Sequence, residues 1–384
     1  MKKYFLISAI IIICQQVVAQ EDLAIIHGPY LQNLSSDEVT IVWVTNKEAV
    51  SWVELAPDDS THFYLIERRK FYSAKNGVKL QGRVHSVKLN NLKTATKYRY
   101  RVVSQEIIDR QGNFITYGRQ VSTTAYRPAT FITLDPTKKS VAFTMVNDIH
   151  GRSDVLEQML KLAEPTKQDL VLFNGDMVSS MKSEEDFFNG FMDVGVKTFA
   201  QNIPMYYCRG NHETRGVFAT MFQDYFSPKS PELYYLVRQG PVCFVVLDCG
   251  EDKPDTDVEY YGITDYDYYR TIEAEWLREA IKDKRYTEAP FKVIVCHMPP
   301  FRDWHGEAEI LEKFVPILND AKADVMLCGH LHHTSKHEAN AAVKFPVLIN
   351  SNNSYLKGSV EGNKLTLDIY DLDGKRTEGL TVVH

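Results

Sequence analysis

The sequence predicts two domains of different class, an all-β sandwich followed by an α/β domain in which a β-sandwich core is flanked by helices. Three observations predict this. Between residues 22 and 125 short alternating strands succeed one another with turns between them and no helical periodicity. From Val141 onward the apolar runs are continuous, and helical stretches separate them. Between the two lies "TAYRPATFITLDPTKKS", where two prolines and a basic pair mark a change of pattern. The boundaries that follow are 20–125 for the sandwich, 126–140 for a linker and 141–384 for the α/β domain. A chain of 384 residues suits two domains.

Ahead of the sandwich, residues 1–19 read as a secretory signal peptide. Lys2 and Lys3 precede the apolar run Phe5 to Ile13, and Val17 and Ala19 are small residues placed for cleavage before Gln20. The run is shorter than the ~20 residues a membrane helix needs, and no later run is long enough to span. Bulky Ile13 disfavours lipid attachment at Cys14. The expected location is therefore secreted or periplasmic.

Within the sandwich, "DEVTIVWVTN" sets Val39, Ile41 and Trp43 on one face and Thr40, Val42 and Val44 on the other. "KYRYRVVS" alternates in the same way, and "IIDRQGNFITYG" is a hairpin turning around Gln111-Gly112-Asn113. These short strands suggest an immunoglobulin or fibronectin type III shape. In the α/β domain the strands are "SVAFTMVND", "DLVLFNGD", "PMYYCRGN", "CFVVLDCG", "FKVIVCHM" and "DVMLCGH". The helices are "DVLEQMLKLAE", "SEEDFFNGFMDVGVKTFAQ" with a serine cap, "TIEAEWLREAIKDKR" and "EAEILEKFVPILNDA". The tail from Phe345 returns to strands, with a turn at Leu372-Asp373-Gly374-Lys375.

A formal charge of −6 argues against a nucleic-acid binder or a polybasic membrane module. Nothing in the sequence sets an oligomeric state. Beyond Cys14 five cysteines remain, an odd number that gives no complete disulfide framework. Most lie in apolar runs as core residues, and Cys208 with Cys249 is the pair open to oxidation after export.

Five strands end in polar residues of one chemical kind: Asp148-Ile149-His150, Asn174-Gly175-Asp176, Gly210-Asn211-His212-Glu213, Cys296-His297 and Gly329-His330-Leu331-His332-His333. Ligands in α/β sheets bind just beyond such carboxyl ends. Asp148 and His150 are two apart, as are His330 and His332, so in extended chain each pair points one way. Neighbouring glycines allow close backbone approach. These ligand candidates exceed what one tetrahedral ion takes and suit two ions about 3.5–4 Å apart with a shared carboxylate. Each block alone has a plainer reading, as a turn or a core histidine. Their order at successive strand ends makes chance a poor account.

The set DxH, GD, GNHE, a lone His and GHxH resembles the calcineurin-like metallophosphoesterases over roughly Val141 to Asn350. "GPYLQNLSSDEVTIVWVT" is similar to the fibronectin-like domain that precedes the catalytic domain of purple acid phosphatases. The resemblance implies that Asp148, His150 and His332 hold one ion, that Asn211, His297 and His330 hold another, and that Asp176 bridges them. It leaves His212 facing the leaving group. The chain departs from purple acid phosphatases at Ser179, where they carry a tyrosine ligand, and at His150, where they lack the histidine. The purple tyrosinate colour is accordingly not expected.

The expected activity is hydrolysis of phosphate mono- or diesters by a metal-bridging hydroxide, with His212 as general acid and Asp176 holding the centre together. Glu213 would orient backbone or His212. Arg209 and Arg215 flank the block and are candidates for phosphate oxygens. Trp304 and His305, in "PPFRDWHGE", and the acidic, aromatic loop Gly250 to Arg270 are candidate substrate contacts. His333 either joins the site or faces solvent. Mn, Fe or Zn all suit the donor set. Two readings compete. A relic phosphatase domain in an exported binding protein would have lost ligands, and none is missing. A nucleotidase would carry a further C-terminal domain, for which the chain after Asn350 is too short.

Overall fold

The computed structural model describes residues 21–63, 65–227 and 232–384. The expected signal peptide, residues 1–19, lies outside them.

Seven strands of the N-terminal unit form one continuous hydrogen-bonded sheet, because two long strands serve both halves. Val39–Pro57 pairs first with Ile25–Gln32 and Gln81–Leu89, then with Lys97–Gln111 and Arg69–Tyr72. Lys97–Gln111 also pairs with Phe114–Ser122, across the expected Gly112-Asn113 turn, and with Ala129–Ile132. Ala129–Ile132, within the stretch 126–140 expected as linker, is thus a strand on this sheet.

Val39, Ile41 and Trp43 pack with Val87, Leu89, Tyr100 and Val102 in the sheet's own core. Val42 and Val44, on the opposite face, are buried as well, in a cluster with Tyr30, Phe188 and Tyr225. That face carries valines because it docks on the helical layer of the second unit. Tyrosine hydroxyls fix the docking: Tyr30 donates to the Tyr225 carbonyl at 2.8 Å, Tyr100 to Gln201 at 2.8 Å and Tyr206 to Leu34 at 2.9 Å. His27 stacks on Phe188 with centroids 3.8 Å apart.

His85, on strand Gln81–Leu89, is 6% exposed, and burial pushes its pKa down from 6.5 to about 4. The unfolded chain therefore binds the extra proton first as pH falls. Stability should drop between those two values by about 3 kcal/mol in total. Urea unfolding at pH 7 and pH 4.5 should show a smaller acid loss for His85→Gln than for the native chain. Equal losses would place the sensitivity on other groups.

The second unit holds two six-stranded sheets face to face. The first runs Met205–Cys208, Leu170–Asn174, Ser140–Val146, Ser354–Glu361, Lys364–Asp371 and Arg376–Val383. The second runs Tyr235–Gln239, Val242–Val246, Phe291–Val295, Val325–Cys328, Val347–Ile349 and Ser335–His337. Phe143 meets Phe244 edge-on across the interface at 5.0 Å. Leu156, Leu160, Phe191 and Phe199 cover the first sheet from outside, and Leu277, Ile310, Phe314 and Leu318 cover the second. Both faces of each sheet are thus apolar, which is why the strands read as continuous runs. Three neighbouring strands of the first sheet and four of the second are mutually parallel, so their carboxyl ends gather at one edge.

Two expected helices differ in detail. "EAEILEKFVPILNDA" is two helices, His305–Lys313 and Val315–Asp320, because Pro316 has no N–H to donate and its ring crowds the preceding turn. "SEEDFFNGFMDVGVKTFAQ" alternates α and π turns from Glu184 to Ala200, with Ser183 Oγ accepting from the Asp186 N–H as its cap. The expected loop Gly250 to Arg270 ends at Asp265, where helix Tyr266–Ala280 begins. All five described cysteines are buried and free, Cys208 and Cys249 included.

Candidate metal centre

The loops leaving that common edge bring the five blocks together. His150 Nε2 and His332 Nε2 lie 3.1 Å apart, and His332 Nε2 is 3.3 Å from Asp148 Oδ1. His297 Nε2 is 3.1 Å from Asp176 Oδ2 and 3.8 Å from Asp148 Oδ1. Asp148, His150 and His332 form one group whose donor atoms lie within 4.8 Å, and Asp176, His297 and His330 form another. Donors about 3–3.5 Å apart are spaced as two ligands of one ion at bond lengths of about 2.1 Å.

The convergence does not come from extended chain. Asp148, His150, Asp176, His330 and His332 all have positive φ, between 50° and 70°. Left-handed backbone is costly for such residues and gathers at functional sites. Here it turns each side chain back over the strand ends. Two glycines let the turns meet: a Cβ at Gly210 would overlap Asp176 Oδ1, and one at Gly329 would crowd Asp148 Oδ2.

Several buried polar atoms of these blocks make no hydrogen bond. Asp148 Oδ1, Asn211 Oδ1 and His297 Nε2 lack hydrogen bonds, although unpartnered buried polar atoms are rare. Their other atoms are held: Asp148 Oδ2 accepts from Asn147 Nδ2 at 2.6 Å and from the His330 N–H at 2.9 Å, and His297 Nδ1 lies 2.7 Å from the Asn174 carbonyl oxygen. Burial pushes His150 and His330 down to about 4, which leaves neutral rings with free lone pairs. Burial also opposes charge on His297, but Asp176 and Asp148 outweigh it and raise that ring to about 10. Two buried carboxylates thus draw positive charge to this place. Carboxylate, amide and imidazole donors with orphaned atoms fit a pair of metal ions.

His212 stands beside the centre, half-buried. Its Nδ1 is 2.8 Å from the Ser179 carbonyl oxygen, which can only accept, so Nδ1 carries a proton and Nε2 faces Asp176 Oδ2 at 3.8 Å. Its backbone N–H donates to Asp176 Oδ1 at 3.0 Å. A ring nitrogen of His212 also falls within 4.8 Å of possible ligand atoms on His150 and Asp176. Glu213 is fully buried and accepts from the N–H groups of Asp176, Met177, Val178 and Gly210 and from the Tyr207 hydroxyl. It staples the turn that carries Asp176 to the turn that carries Asn211.

The four residues expected as substrate contacts have these surroundings. Arg209 is committed to buried Asp248 at 2.8 Å. Arg215 forms a bidentate pair with Glu251 at 2.7 and 2.9 Å and reaches Asp252 at 3.2 Å. His305 Nε2 bonds to Asp267 at 2.8 Å, and Trp304, 45% exposed, begins helix His305–Lys313. Nearness in sequence to the candidate ligands brought these residues to notice, and acids elsewhere in the chain engage three of them. His333 is exposed, with Nδ1 2.9 Å from the Leu331 carbonyl oxygen.

Sequence reasoning missed the supports. Asn211 Nδ2 donates to Asp252 Oδ2 at 3.4 Å, while its Oδ1 is buried without a hydrogen bond. Arg152 bonds the carbonyls of Asp148, Ile149 and Asn352. Asn350 Nδ2 donates to Asn147 Oδ1 at 2.7 Å. Asn350 closes strand Val347–Ile349, so the strand-end rule would have found it.

A family model described as calcineurin-like phosphoesterase matches residues 141–334, and one described as the purple acid phosphatase N-terminal domain matches residues 28–116. The purple acid phosphatase PPD1 from yellow lupin (Lupinus luteus) seeds has the same fold at 14% identity, with a TM-score of 0.66 over 92% of this chain and 74% of that one. A 5'-nucleotidase from Candida albicans matches at 16% identity and a TM-score of 0.38, over 61% of this chain and 52% of that one.

Proposed function

The chain belongs to the calcineurin-like phosphoesterase family, whose members are metal-dependent phosphoesterases, and from that premise we propose that it is an exported hydrolase of phosphate mono- or diesters. The observation that carries the reading is the convergence of Asp148 and Asp176 with His150, His297, His330 and His332, in blocks where Asp148 Oδ1, Asn211 Oδ1 and His297 Nε2 make no hydrogen bond. In this reading Asp148, His150 and His332 hold one ion, Asn211, His297 and His330 hold a second, and Asp176 is shared. When bound, two ions neutralise phosphate oxygens and make nearby water acidic enough to supply a nucleophile at neutral pH.

The chain's own residues do the rest. Asn147 and the His330 N–H fix one oxygen of Asp148 and leave the other free. Asp252 accepts from the Asn211 amide, and Arg215 with Glu251 braces that loop. The Ser179 carbonyl orients His212 so that Nε2, once protonated, can donate to the leaving oxygen. Lys2, Lys3 and the apolar run after them support export.

A hydrolysis screen of mono- and diesters, with the protein loaded with Mn, Zn or Fe, tests this. Metal-dependent turnover lost on chelation is expected, and absence of turnover with every metal and ester would overturn the reading. Iron-loaded protein should also lack a strong purple band, since Ser179 stands at the tyrosine position. A visible charge-transfer band would mean that another tyrosine ligates.

A further inference from the structure

Beside the GNHE turn lies a groove of about 640 Å³, within the ordinary size of a small-molecule site. One wall comes from the chain just after His212, Thr214 to Thr220, and the other from Glu259 to Tyr269. Thr214 ties this wall to the backbone of the GNHE turn, with Oγ1 2.6 Å from both the Asn211 carbonyl oxygen and Glu251 Oε1. Val217, Tyr261 and Ile263 are 88%, 86% and 88% exposed, although all three are large and apolar. Apolar side chains from two separate segments left exposed around one groove mark a binding surface. Tyr266 and Tyr269 line it further in, with the Arg209 guanidinium 5.8 and 5.9 Å from their ring centres.

The charges restrict the occupant. Both arginines of the lining are engaged, Arg209 by Asp248 and Arg215 by Glu251 and Asp252. Asp265 is an exposed acid, and Glu259 is paired with Lys253. The groove thus presents apolar and aromatic surface with no uncommitted cation to receive a second phosphate.

Resting on the phosphoesterase reading, we propose that this groove receives the alcohol moiety of the ester, and that this moiety is apolar or aromatic and carries no further phosphate. One wall of the groove begins two residues after His212, the proposed donor to that alcohol's oxygen, and this decides for a substrate group over a protein partner. Val217 and Ile263 set the preference by covering it.

The test compares 3-phenylpropyl with propyl compounds, whose leaving groups differ in size far more than in acidity. Calorimetric binding of the two phosphonates to metal-loaded protein should favour the phenylpropyl compound by about 10- to 100-fold. Val217→Asp and Ile263→Asp, both at exposed positions, should bring that ratio toward one. The phosphate esters should show the same bias in kcat/KM. A ratio near one in the native protein, or one untouched by both substitutions, overturns the groove assignment. An unchanged ratio with loss of self-association would give the patch to a second copy of the chain instead. Retained phosphonate discrimination with no hydrolysis of either ester would overturn the phosphoesterase reading and leave the groove standing.

Discussion

Asp176→Asn should empty both metal positions and lower hydrolysis by at least ~10²-fold. Altering a group that merely supports a ligand already costs 10–100-fold, and Asp176 is the proposed ligand of both ions. Its Oδ2 faces His297 at 3.1 Å and His212 at 3.8 Å, and its Oδ1 accepts the His212 N–H. An amide keeps the shape and can still accept that N–H, so the turn should survive. What it loses is the full negative charge that two cations must share. Elemental analysis of the purified variant gives the answer directly: about two ions per native chain are expected, and far fewer in the variant. Undiminished metal with lost activity would make Asp176 a group acting on substrate, and undiminished metal with full activity would remove it from the centre. Far-UV circular dichroism guards against a folding defect.

Asp176 also shows what the sequence makes legible. It follows a buried strand and a glycine, and so do or nearly do Asn211 and His330. A strand covered on both faces must be apolar throughout, so the polar residues that end it stand out, and parallel pairing brings those ends to one edge. The layered α/β arrangement was legible for the same reason. The backbone at Asp148, His150, His330 and His332 was not, since left-handed φ there follows from the crowded meeting of five loops. Spacing of two suggested extended chain, and the convergence proved to be of another origin. Arg209 and His305 lie close in sequence to proposed ligands, but their partners Asp248 and Asp267 come from tens of residues away. Local pattern carries no trace of such pairs. The doubly buried face of Val39–Pro57 likewise became intelligible only with the helical layer docked on it. Glu213 was read as an orienting residue, and the five donors it accepts are what gives that role its content.

His212→Ala should keep both ions and lose catalysis by ~10²–10⁴-fold for esters with poor leaving groups. The geometry divides the ring's two nitrogens. Nδ1 donates to the Ser179 carbonyl oxygen at 2.8 Å, and Nε2 faces the centre 3.8 Å from Asp176. A ring held in that way can deliver a proton from Nε2 to an oxygen leaving phosphorus. Asn211, one residue earlier, offers an amide oxygen with no hydrogen-bond partner, as a neutral ligand would. Leaving-group acidity reads out the proton. In a series of aryl and benzyl phosphates of similar size, which holds the groove contribution constant, the loss should be largest for benzyl phosphate. It should shrink toward 4-nitrophenyl phosphate, whose leaving group needs little protonation. An equal loss across the series would mean that His212 acts on the phosphoryl oxygens alone. Because a ring nitrogen of His212 also lies within 4.8 Å of possible ligand atoms on His150 and Asp176, metal content must be measured on the same samples. Loss of an ion from His212→Ala would make His212 a ligand, and the proton would then have to come from elsewhere. Retained ions with a leaving-group-dependent loss would leave proton donation as its role.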